Sequence, residues 1–121
     1  MNEPNTQAGP VREFLDADYQ PLCGTLAEVR QNIDRLDDEI IRLMAERALY
    51  VKDAARFKRD AYQVSAPARQ AEVFQKARER AQSHNRGFEN FEGVVDATYR
   101  AMVAAYIANE QLYFDKMKSL G

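Results

Sequence analysis

The chain has 121 residues, 45% of them apolar and 30% charged, the balance of one small globular domain rather than a disordered segment. Seventeen Lys and Arg against nineteen Asp and Glu give a net charge of −2, which argues against a nucleic-acid partner, since a nucleic-acid binder normally carries a basic excess. A lone cysteine, no basic and apolar leader at the start, and no run near ~18 apolar residues make a soluble cytoplasmic protein, without disulfide or membrane anchor, the expectation.

Residues Met1 to Gly24 read as a poorly ordered N-terminal tail. They hold three of the four prolines, show little periodicity, and carry one weak cluster of Phe14, Leu15 and Tyr19. The helical domain is expected over residues 25–121.

A first long helix is expected from Thr25 to about Arg59. Thr25 suits the N-cap, and Glu28 three residues later completes a capping box. Apolar residues then recur at steps of three and four through Leu26, Val29, Ile33, Leu36, Ile40 and Leu43. At ~1.5 Å per residue such a helix is on the order of 50 Å long, more than a monomer of this size buries unaided. The exposed seam therefore predicts dimerisation.

Asp60 to Pro67 loses the period and reads as a loop, adjacent to Lys58 and placed to close over a site. A short second helix begins at Pro67, which suits a first turn, and runs to about Ser83, stopped near Gly87. A third, long helix is expected from about Asn90 to about Lys118. With no strand-like alternation and no repeat, the domain is all-α: three helices, long, short and long, with two chains forming a six-helix bundle.

Position 47 continues the seam of the first helix, yet it holds arginine. A cation on an inward face is costly unless an anion meets it. That anion is either an acid of the third helix, such as Glu110, or a bound ligand. Lys58 lies eleven residues on, about three turns and on the order of 16 Å, so it shares nearly the same face. It is either a solvated cation favoured by the helix dipole or a second ligand contact. Gln111, between Ile107 and Phe114, is a packing amide or a ligand contact. Arg30, roughly 25 Å from Arg47 along the rod, is a surface charge or reaches the site of a partner chain. His84 has no Cys or acid beside it, so metal and triad chemistry lack support. Tyr50, Tyr99, Tyr106 and Tyr113 read as core.

The stretch LAEVRQNIDRLDDEIIRLMAERALYVKDAARFK, from Leu26 to Lys58, resembles the first helix of the all-helical chorismate mutase family, particularly its isochorismate pyruvate lyase members. The likeness continues at Ala66-Pro67-Ala68-Arg69 and at Tyr106-Ile107-Ala108-Asn109-Glu110-Gln111, covering roughly residues 24 to 118. The resemblance implies an intertwined homodimer with two sites, each built from both chains. It implies that Arg47 and the partner chain's Arg30 hold two substrate carboxylates, while Lys58 and Gln111 bond near an ether oxygen and an enolpyruvyl carboxylate. The implied substrate is chorismate or isochorismate, with no cofactor and no metal. The implied activity is isochorismate pyruvate lyase, with chorismate mutase as the alternative and a non-catalytic helical dimer as a third reading. Mutases of the family carry a glutamate in the second helix; here that position aligns with Ala71, preceded by Gln70. Glu72 is one residue off, about 100° around the helix.

Overall fold

The computed structural model describes residues 2–118. It divides into two compact units, one reaching Ala45 and the other beginning at Glu46. Every regular element among the described residues is helical: α1 (Leu26–Ala54), a 3₁₀ turn (Ala55–Phe57), α2 (Ala61–Ser65), α3 (Pro67–His84) and α4 (Phe91–Lys118). No helix is long and apolar enough to cross a membrane among those residues.

In the N-terminal unit, the expected cap closes α1. The Glu28 amide donates to Thr25 Oγ1 at 3.2 Å, and that hydroxyl returns a hydrogen bond to Glu28 Oε1 at 3.4 Å. The Ala27 amide, another donor that helical geometry leaves unpaired, reaches the Thr6 carbonyl at 2.9 Å. Phe14 and Tyr19 meet with their rings tilted by 53°, 4.6 Å between centres. The seam residues Val29, Ile33, Leu36, Ile40 and Leu43 are 39–54% exposed, so a single chain leaves the apolar edge of α1 uncovered.

In the C-terminal unit, the chain departs from a plain three-helix pattern. The expected loop contains α2, only five residues long. Asp60 caps it by accepting from the Gln63 amide at 2.8 Å, and Gln63 Oε1 accepts from the Arg59 amide at 2.7 Å. Ala66 ends α2 with left-handed backbone (φ 46°, ψ 63°), its amide bonded to the Tyr62 carbonyl at 2.9 Å. Pro67, which has no amide hydrogen to leave unsatisfied, then starts α3. Between α3 and α4, Gly87 takes φ 91°, and the Asn85 side chain bonds both the amide and the carbonyl of Phe88.

Val64 of α2 is buried with Ala55 and Phe114, and Ile107 and Met117 pack beside them. Ala77 and Ala81 are buried on α3, where small side chains let α4 approach. Asp96 of α4 ties the two helices, meeting Arg78 of α3 at 3.1 Å and Arg100 one turn on at 2.8 Å. These two guanidiniums hold its carboxyl below the ordinary aspartate range, chiefly through the hydrogen bond from Arg100. The tyrosines correct the sequence reading: Tyr50 is 71% exposed, Tyr113 is exposed, and Tyr99 and Tyr106 are half-buried. Their hydroxyls favour the water boundary.

Candidate active site

The inner side of α4 runs Val103, Ile107, Glu110, Phe114, Met117, alternate steps of four and three that one helix face requires. Four of these are apolar. The fifth is Glu110, only 5% exposed. A carboxylate on the seam of α4 thus faces the stretch where α1 carries its own misplaced charge.

Glu110 does not pair with Arg47. Its Oε2 stands 3.2 Å from Lys58 Nζ, with Lys58's side chain 22% exposed. That contact is an ion pair without a directed hydrogen bond, since Oε2 accepts none, while the same ammonium donates to the Gln63 carbonyl at 3.0 Å. Lys58 reaches inward because the chain leaves the 3₁₀ turn there in an extended conformation (φ −99°, ψ 145°). Arg47, half-buried, lays its guanidinium over the Tyr106 ring at 4.9 Å. It joins no carboxylate among the described residues; the acid on the same cavity wall, Glu110, meets Lys58 instead.

Arg47, Lys58 and Glu110 line one cavity of about 320 Å³, together with Tyr50, Tyr106 and Val64. The volume suits a small ligand. Three cations, Arg47, Lys58 and Arg69, against one anion, Glu110, leave its wall net positive, which favours an anionic guest. Arg69 and Gln70 of α3 close another side, with the Gln70 amide held by the Ser65 carbonyl at 2.6 Å.

Of the expected site residues, the structure brings Arg47 and Lys58 together. Gln111 is not on the cavity wall. Its amide donates to Asp115 at 2.9 Å, and one residue, about 100° of helix, separates it from Glu110. Arg30 is exposed on the N-terminal stretch of α1, while every cavity residue belongs to the C-terminal unit. Ala71 is exposed, and Glu72 points to solvent, where it pairs with Arg69 and with Lys76. Lys76, by hydrogen bond and charge, and then Arg69 hold the Glu72 carboxyl below the ordinary glutamate range. Glu72 therefore does not line the cavity. Sequence reasoning overlooked Arg69, which lies within a quoted likeness but breaks no pattern, and weighed Glu110 only as one alternative partner of Arg47, whereas it meets Lys58.

The sequence pattern of the chorismate mutase type II family matches residues 29–111, a span that includes Arg30, Arg47, Lys58 and Glu110. The isochorismate pyruvate lyase of Pseudomonas aeruginosa is 30% identical over 92 residues, which cover 76% of this chain and 87% of that protein. The chorismate mutase of Methanocaldococcus jannaschii is 34% identical over 61 residues, 50% of this chain and 62% of that one. The chain belongs to the chorismate mutase type II family, and with it to the pericyclic enzymes.

Proposed function

We propose that this chain, as a pair of copies, converts isochorismate to salicylate and pyruvate, with chorismate as a second substrate. The observation that supports this reading is a guanidinium and an ammonium, Arg47 and Lys58, on the wall of one small cavity. Neither reaction of these dianions needs a nucleophile or a general base. The protein's task is to fold a flexible substrate into its reactive shape and to stabilise charge as a C–O bond breaks. Arg47 serves the first need, since a guanidinium fork fixes a carboxylate in orientation as well as place. Lys58 serves the second, as a fixed cation beside the oxygen on which negative charge gathers.

The uncovered edge of α1 takes the second copy in this reading, and that copy's Arg30 supplies the other carboxylate's partner. Glu110 stands where an amide was expected, so Gln111 becomes a secondary contact that acts only on leaving Asp115.

Chorismate mutase activity is the second reading, favoured by the similarity to the archaeal mutase. The wall provided by α3 tilts the balance to the lyase: it offers Arg69, Gln70 and Val73 but no carboxylate for a ring hydroxyl. Incubating purified protein with chorismate and isochorismate separately, and identifying products by chromatography, decides between them. Salicylate from isochorismate supports the lyase; prephenate from chorismate alone supports the mutase; no product from either sinks both.

A further inference from the structure

Residues 12–19 of the N-terminal unit are exposed throughout, yet they are locally shaped. The Tyr19 amide donates to the Asp16 carbonyl at 3.2 Å and the Asp18 amide to Asp16 Oδ1 at 3.0 Å, so a turn forms about Asp16. Phe14 meets Tyr19 across it, while Phe14 stays 71% exposed and Leu15 lies wholly in water. Three acids, Glu13, Asp16 and Asp18, stand among these apolar side chains. None of the three joins an ion pair among the described residues.

The C-terminal unit carries the complement. Leu49, Lys52 and Arg56 follow one another at three and four residues, as do Tyr113, Lys116 and Met117 on α4, and the two faces enclose a groove of about 270 Å³. Lys52 and Lys116 both rest their ammoniums on the Tyr113 ring, 4.8 and 5.8 Å from its centre. With Arg56 they make three cations against one acid, Asp53, and the neighbouring Leu49 is 68% exposed. Bases among apolar residues here are the inverse of the acids among apolar residues in the tail.

We infer that residues 12–19 of one copy seat in this groove of a second copy, the acids against the lysines and Phe14 and Leu15 against Leu49 and Met117. The inference rests on the pair proposed above, in which Arg30 of one chain reaches the cavity of the other. Thr6 is fastened to Ala27, about one turn before Arg30, so the tail is carried to the same partner. There the groove lies round α1 from the cavity: Arg47, Val51 and Ala54 line the one, Leu49 and Lys52 the other. About one helix diameter, ~10 Å, separates them. The nine steps from Thr6 to Leu15 span up to about 30 Å when extended, so the segment reaches. Apolar burial supplies the affinity, whereas exposed ion pairs, weak one by one, select the orientation. A seated tail holds the turn that presents Arg30 to the partner's cavity.

An exchange of charge between two chains tests the contact. One chain carries Asp16→Lys with Asp18→Lys; the other carries Lys52→Glu with Lys116→Glu. All four positions are exposed, and far-UV circular dichroism checks that both variants fold. Either variant alone sets like charges against each other. Unfolded together in urea and refolded as a mixture, they form mixed pairs in which both tails meet opposite charge. Amide hydrogen exchange over residues 12–19, read by mass spectrometry, is expected to run about tenfold or more faster in either variant than in the parent, and to slow again in the mixture. Fast exchange in the parent itself overturns the inference, and so do variants that exchange as slowly as the parent. A mixture that stays fast overturns it too; recovery only in a single chain with all four changes then places the contact within one chain. Exchange needs no substrate, which separates the two readings. A parent that sediments as a monomer overturns the pairing and this inference together. A parent whose tail behaves as expected but which consumes neither chorismate nor isochorismate overturns the reaction alone.

Discussion

Lys58 Nζ and Glu110 Oε2 lie 3.2 Å apart across the cavity, yet the ammonium directs its hydrogen bond to the Gln63 carbonyl. Glu110 is thus neutralised without being fully satisfied. Replacing Lys58 with alanine removes the only cation in ion-pair contact with this buried acid among the described residues. Stability is expected to drop by about 1–3 kcal/mol in urea unfolding at neutral pH, the cost of leaving a buried charged group unpaired. Lys58→Met combined with Glu110→Leu should recover most of it.

The same Lys58→Ala change tests catalysis. Steady-state turnover should fall by about two or more orders of magnitude, the scale of a lost preorganised donor. Near-normal turnover in a folded variant would count against the assigned role.

Arg47→Leu restores the apolar pattern of α1. Activity should fall at least about a hundredfold, while stability stays level or rises by about 1 kcal/mol, because the lost contact with Tyr106 is offset by the apolar side chain. Loss of stability together with activity would identify Arg47 as a structural residue.

Ala66 holds a left-handed conformation just before Pro67, a combination costly for a residue with a side chain. Ala66→Gly is expected to raise the urea midpoint by the equivalent of about 1 kcal/mol, read by circular dichroism. A fall in stability would show that entropy gained by the unfolded chain outweighs the relief.

Asp96 supplies a pH dependence. Its folded carboxyl titrates below the ordinary value of about 4, so the unfolded chain binds more protons in that range. Its contribution is therefore complete at neutral pH and is lost as pH falls from about 4 through the lower folded value. Thermal midpoints from pH 7 to pH 3 should drop less steeply in Asp96→Asn than in the parent; parallel curves would refute this role.

Long periodic elements were readable from the residues alone. The Thr25 cap, the Pro67 start and the extent of α4 follow from local chemistry that tertiary contacts do not override. Five residues are too few to display a period, so α2 went unseen, although its Val64 is almost wholly buried. Charge on an inward face made Arg47 conspicuous. Glu110 sits on its own helix's seam by the same rule, but helix-to-helix register, which no single helix encodes, decides that Lys58 and not Arg47 meets it. Gln111 illustrates the sharpness of such placement, since one step along α4 exchanges the cavity wall for Asp115.

Gln63 carries a consequence beyond chemistry. Its carbonyl shares the Lys58 ammonium with Glu110, its amide holds Asp60 and its side chain holds Arg59, so it fastens the first turn of α2. An anion bound against that fixed ammonium shares its charge with one of those three ties, so amide hydrogen exchange at residues 61–65 is expected to change when the cavity fills.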